Sequence, residues 1–272
     1  MEKVAIPNSS VRLSRLGFGC ARIFGGREAR ASARLIEAAL RQGITHFDTA
    51  PSYGSEDVLG EVLAGVQDIT ITTKVGIPRT AGDQSVAKRL VGPLYRSTLR
   101  PLLAQMPRVK SALLRRQSRG TSSLPVEKRR LTRNEVLREL DESLRRLRRT
   151  AIDVYLIHEP DAIELTDELH DVFQSLKRAG NIKAFGLAFG GVPSSTAFGQ
   201  VVQCRYETNV PTVPDDAGTL KIYHGVVRLG MQIRGHRDAP YMVRDALTTH
   251  PTAAVIFSAS TVRQLTHIGG HQ

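Results

Sequence analysis

The chain has 272 residues, close to the ~250 of a single eightfold barrel domain, and can bury a full core without covalent staples. Its two cysteines, Cys20 and Cys204, stand far apart in strand-like runs, which excludes a disulfide scaffold and suits free thiols in a reducing compartment. No basic segment leads an apolar stretch at the N-terminus and no apolar run reaches about 18 residues, so the expectation is a soluble, cytoplasmic protein despite a net charge of +12.

In chain order, Val4 to Leu16 reads as a hairpin turning at Pro7-Asn8-Ser9-Ser10, and Leu16-Gly17-Phe18-Gly19-Cys20 as a strand. Glu28 to Gln42 is a helix stopped by Gly43, and Thr45 to Asp48 a second strand. Ser55 to Leu63 and Ile69 to Lys74 repeat the helix and strand. Thr132-Arg133-Asn134-Glu135 has the capping-box spacing and opens a basic helix to about Arg148, ahead of the strand Ile152 to His158. A helix from Thr166 to Arg178 leads to a strand at Lys183–Leu187. Strands at Val201–Tyr206 and Gly225–Leu229, a helix at Ala239–Thr249 and a strand at Ala253–Phe257 complete eight. Strands alternating with helices in this way predict an α/β fold, a parallel (β/α)8 TIM barrel with an N-terminal β-hairpin and a shortened C-terminal third. The whole of 1–272 reads as one domain carrying an insertion at 77–130.

Four polar residues fall where early strands run out: Asp48, Tyr53 just beyond it, Lys74 and His158. Barrel enzymes carry their chemistry at these C-terminal strand ends. Reducing a carbonyl by hydride transfer leaves negative charge on oxygen, so a proton must be supplied there and the anion stabilised. Tyr53 is the expected donor, with Lys74 as the ammonium that lowers the phenol pKa. Asp48 holds Lys74 charged, and His158 hydrogen-bonds the carbonyl, orienting substrate or relaying a proton. The hydride itself requires a nicotinamide cofactor. Taken singly, Asp48 reads equally as a turn residue and Lys74 as a solvated lysine; the joint occurrence in order decides for chemistry. No metal site is read.

At these residues, in these local contexts, the sequence resembles the aldo-keto reductase family, whose tetrad is Asp, Tyr, Lys and His in the same order. The resemblance covers nearly the whole chain and is most specific from Leu16 to His158. It implies NAD(P)H as cofactor, with NADP ahead of NAD, and Gln203 against the nicotinamide amide. It also implies that Ile256–Gln264, which includes Gln264, grips the adenosine 2′-phosphate, with Ser258 where the family has Lys or Arg and with Arg263 or Arg228 compensating for that charge. The sequence departs from the pattern at Gly186-Leu187-Ala188-Phe189, where the family places Ser and Asn.

Residues 77–130 hold thirteen Lys or Arg and two acids, whereas the remainder has 25 basic and 24 acidic residues. The basicity therefore belongs to one insertion. Its apolar residues, interleaved with arginines and broken at Pro93, Pro101 and Pro107, suit amphipathic helical pieces or a solvated lid. Its charge suits an anionic substrate, a peripheral membrane surface or an acidic partner protein. Nucleic acid is not expected, since no recognition motif accompanies the charge. The reading is a monomeric oxidoreductase that interconverts a small carbonyl and its alcohol. The alternative is a catalytically weak or inactive barrel that binds cofactor or sugar and acts as a regulatory or assembly component through the insertion.

Overall fold

A computed structural model describes residues 1–77, 79, 131–161, 165–191, 193, 198–206, 218–227 and 238–270. The insertion from residue 80 to 130, and Arg228, lie outside the described residues. Strands β1 (Lys3–Ala5) and β2 (Arg12–Ser14) pair antiparallel as the hairpin. Eight further strands close a parallel barrel: β3 (Leu16–Gly19), β4 (His46–Asp48), β5 (Thr70–Val75), β6 (Ile152–His158), β7 (Ile182–Ala188), β8 (Val201–Arg205), β9 (Leu220–His224) and β10 (Ala254–Phe257), with β10 returning to pair β3.

Helix α1 (Ala29–Arg41) follows β3, α2 (Glu56–Val62) follows β4, α3 (Arg133–Leu147) lies beyond β5, and α4 (Asp167–Arg178) follows β6. Helices α5 (Ala239–Thr249) and α6 (Val262–Gly269) follow β9 and β10. Each apolar stripe faces the barrel: α1 buries Leu35, Ile36, Ala38 and Ala39, and α4 buries Leu169, Val172, Phe173 and Leu176. The α3 start is the expected capping box, Thr132 Oγ1 accepting from Glu135 N and Glu135 Oε2 accepting from Thr132 N at 2.9 Å. Helix α2 lies so close to α3 that a Cβ at Gly60 would overlap Arg146 O. Across that contact Arg146 donates to Glu56 Oε2 at 2.7 Å, while Thr73 Oγ1 donates to the other Glu56 oxygen at 2.7 Å.

The strand pleat sorts residues into two layers. Outward residues such as Phe18, Phe47, Ile71, Tyr155, Phe185 and Phe257 pack under the helices. Inward residues Val154, Leu156, Ala184, Val201, Leu220, Ile222, Ala254 and Ile256 fill the barrel, closed at one end by Ile6, Val11 and Leu13 of the hairpin. The hairpin thus plugs the amino-terminal end of the strands, and polar residues at the inward ends of β4, β5, β6, β8 and β9 stand at the other.

One strand differs from the sequence expectation. The seventh barrel strand is Leu220–His224, not Gly225–Leu229. Gly225 adopts φ of 73°, which ends the strand, and the pair Val226-Val227 that imitated a strand lies beyond it. The remaining strands and helices match the sequence reading to within about two residues at each end, the usual scatter of element boundaries.

Candidate active site

β4 ends with Asp48 as its last inward residue, and the chain then turns through Pro51–Tyr53, where Gly54 at φ of 72° closes the turn. That turn folds Tyr53 back over the barrel mouth. Lys74, on β5 beside β4, points inward and is 1% exposed. Its Nζ donates to Asp48 Oδ1 at 2.8 Å and to Thr49 O at 2.8 Å, and lies 5.0 Å from the centroid of the Tyr53 ring. His158, at the end of β6, meets the Tyr53 ring edge to face at 6.0 Å between centroids. The structure therefore brings all four predicted residues together.

Gln203 joins them. It occupies the last buried inward position of β8 and donates through Nε2 to Asp48 Oδ1 at 2.8 Å, so Asp48 receives both the ammonium and an amide. The other predicted cofactor residues lie elsewhere on the rim. Ser258 Oγ donates to Gly19 O at 2.8 Å, in a gap that a Cβ at Gly19 would fill. Gln264 caps α6, its Oε1 accepting from Ser260 N at 3.0 Å and its N donating to Thr261 Oγ1. Arg263 is exposed in the first turn of that helix.

Two residues on this rim were not singled out in the sequence. Arg22, in the loop after β3, donates to Ser260 Oγ at 2.7 Å and so stands beside the start of α6. His224, the last residue of β9, donates through Nε2 to Phe189 O at 2.8 Å. Counting alternate residues from Leu220 and Ile222 would have found His224; nothing local marks Arg22.

Electrostatics separate the roles. Burial pulls the Lys74 pKa down, but the Asp48 carboxylate, Tyr53 and their hydrogen bonds outweigh it, and the net direction is up; the ammonium persists. Burial pushes the Tyr53 phenol up and the Lys74 ammonium pulls it down, with burial prevailing. This reverses the net direction expected from the sequence and keeps the phenol protonated until charge develops beside it. His158 is lowered to about 3, by burial first and Lys74 second, so its imidazole is neutral at neutral pH. Its Nδ1 is buried without a hydrogen-bond partner. An unfilled lone pair there costs less than an orphaned N–H, so the proton is assigned to Nε2.

The result is a (β/α)8 barrel with a cluster of titratable and polar side chains at the carboxyl ends of its strands, the position at which barrel enzymes work. The aldo/keto reductase family model matches residues 15–196, and the chain belongs to that family. The aldo-keto reductase YhdN of Bacillus subtilis is 29% identical over 198 residues, 69% of this chain and 47% of that protein. A 6-dehydroglucose reductase of Agrobacterium fabrum is 27% identical over 69% of this chain and 54% of its own length. The chain thus spans about half the length of these curated relatives. Among solved structures, the glycerol dehydrogenase AKR11B4 of Gluconobacter oxydans superposes with a TM-score of 0.71 at 20% identity, over 99% of this chain and 89% of that one. The holo form of AKR11C1 from Bacillus halodurans gives 0.68 at 20%, over 100% and 90%. These superpositions establish the barrel fold.

Proposed function

We propose that the chain reduces an aldehyde or ketone to its alcohol, or the reverse, by hydride transfer from NAD(P)H with Tyr53 as general acid. The observation that carries this is the buried ammonium of Lys74, held by Asp48 and Thr49 and lying 5.0 Å from the Tyr53 ring. A phenol whose burial keeps it protonated donates to a carbonyl oxygen only as that oxygen gains charge, and the adjacent ammonium stabilises the phenolate left behind. His158, neutral, donates a hydrogen bond from Nε2 to the same oxygen and orients it, without adding a positive charge that would compete with Lys74. Asp48 keeps Lys74 protonated and is itself fixed by Gln203.

The nicotinamide, when bound, supplies the hydride. Residues of the rim fit such a dinucleotide. Gln203 spends its amide nitrogen on Asp48 and retains Oε1 as an acceptor, while Arg22, Arg263 and the start of α6 gather positive potential around Ser260. NADP is the favoured form and NAD a possible one. Sequence charge at 77–130 supports an anionic carbonyl substrate or an anionic partner surface for a monomer built as one domain, and raised salt would weaken either.

The test is Tyr53→Phe. With no tryptophan in the chain, the fluorescence of the reduced cofactor itself serves as the binding signal. Turnover on a carbonyl panel should fall by about 10²–10⁴ with cofactor affinity retained. Wild-type turnover in this variant overturns the assignment.

A further inference from the structure

His224 takes part in none of the steps above, yet it stands at the last inward position of β9 in the ring that holds Asp48, Lys74, His158 and Gln203. The backbone of Phe189, just past β7, links it to that ring. Phe189 N donates to Gln203 O at 2.8 Å, and Phe189 O accepts from His224 Nε2 at 2.8 Å. A carbonyl oxygen only accepts, so Nε2 carries the proton and the imidazole has a fixed tautomer. Burial lowers the His224 pKa below the ordinary histidine value, with the Phe189 hydrogen bond opposing, and the ring is neutral at neutral pH. Nδ1 is then a lone-pair acceptor that makes no hydrogen bond among the described residues, as is Gln203 Oε1. His224 is half-buried and Gln203 buried.

This side of the mouth is complementary to the other. Tyr53 and His158 present donors, which suit a carbonyl oxygen; Gln203 and His224 present acceptors, which a carbonyl oxygen cannot use. Ala188 and Phe189, between them, offer no polar side chain. We propose that His224 is a ligand-positioning residue whose Nδ1, paired with Gln203 Oε1, accepts an N–H or O–H donor of the bound reactants and thereby fixes the face presented to Tyr53. Two groups carry such a donor, the primary carboxamide of the nicotinamide and a hydroxyl next to the substrate carbonyl. The proposal rests on the dinucleotide-dependent function proposed above for the identity of the first.

The experiment compares calorimetric binding of NADPH with that of its analogue bearing an acetyl group in place of the carboxamide, which removes the N–H donors and little else. Wild type should bind the analogue about 10-fold more weakly; in His224→Leu the ratio should shrink to about 2-fold, the loss of one hydrogen bond. His224→Gln, which keeps both a donor for Phe189 and an acceptor, should retain most of the discrimination and guards against a merely structural effect. If the analogue ratio is unmoved but KM for 2-hydroxyaldehydes rises about 5-fold relative to unsubstituted aldehydes, the same pair reads the substrate hydroxyl. An unchanged analogue ratio together with unchanged relative KM values in His224→Leu overturns the proposal. Failure of wild type to bind any nicotinamide dinucleotide overturns the functional reading itself and this proposal with it.

Discussion

The two ends of the barrel interior are both polar, and they use polarity in opposite ways. At the amino-terminal end, Ser14 Oγ donates to Leu16 O and accepts from Thr45 N and His46 N, and His46 Nε2 meets Thr72 Oγ1 at 2.9 Å. His46 is fully buried, and a Cβ at Gly17 would lie 2.7 Å from its Nδ1, so the backbone of β3 packs directly against the ring. At the carboxyl end a charged pair is buried instead, and the surrounding groups keep capacity: Gln203 Oε1, His224 Nδ1 and His158 Nε2 have no protein partner among the described residues. Buried polarity alone does not mark a site. Unspent hydrogen-bonding capacity with room in front of it does, and that separates the mouth from the floor although histidines stand in both.

The largest expected effect comes from breaking the charged pair. Lys74→Met leaves Asp48 buried with only the Gln203 amide, and losing one partner of a buried pair typically costs about 3–5 kcal/mol. Urea unfolding should show that loss, and turnover should vanish with it. Adding Asp48→Asn should restore most of the stability and none of the activity. If the double variant regains turnover, the ammonium is not part of the chemistry.

The floor answers to pH. In the unfolded chain His46 titrates near 6.5, and in the fold at about 4. Between those values the unfolded chain binds a proton that the native state excludes, so stability falls as pH drops from about 6.5 toward 4, at up to about 1.4 kcal/mol per unit. His158, lowered to about 3, and His224, also lowered by burial, add changes in the same sense. His46→Gln keeps a partner for Thr72 and does not titrate; its stability should decline with acid less steeply than wild type, by the share that His46 contributes. Superimposable slopes at pH 5–7 would assign the acid sensitivity elsewhere.

Much of the mouth was legible in the sequence because each tetrad residue sits in a local context that also ends a strand: Asp48 before a proline turn, Lys74 closing Ile-Thr-Thr-Lys, His158 before Glu-Pro. Helix ends were legible where chemistry marks them, as at Thr132 with Glu135 or at Gly43. The seventh strand was not, because Lys221 and Tyr223, outward-facing but polar-tipped, hid the alternation of Leu220, Ile222 and His224 behind an apolar Val-Val pair. Gln203 reaches Asp48 across 155 residues and Arg22 reaches Ser260 across 238, and no local pattern encodes either contact. The sign of the Tyr53 shift was misjudged for a related reason. A neighbouring charge can be read from a motif, whereas depth of burial belongs to the closed barrel.

The smallest effect sharpens the rim against the mouth. Arg22 and Arg263 are both exposed and, among the described residues, only the first is fixed, by its 2.7 Å bond to Ser260 Oγ. The aldo-keto reductase resemblance assigns the 2′-phosphate to this segment and a basic residue to the position of Ser258, so Arg22 is the cation expected to take over that task. Because an exposed ion contact contributes only about 0.2–1 kcal/mol, Arg22→Gln should weaken NADPH by roughly 2- to 5-fold and leave NADH unchanged. The difference should fade as salt is raised, since a Debye length of about 10 Å at 0.1 M screens an exposed charge. Tm and turnover at saturating cofactor should match wild type, because Arg22 touches neither the floor nor the mouth. Equal weakening of NADPH and NADH would place Arg22 on the shared part of the dinucleotide, and the 2′-phosphate would then need another cation.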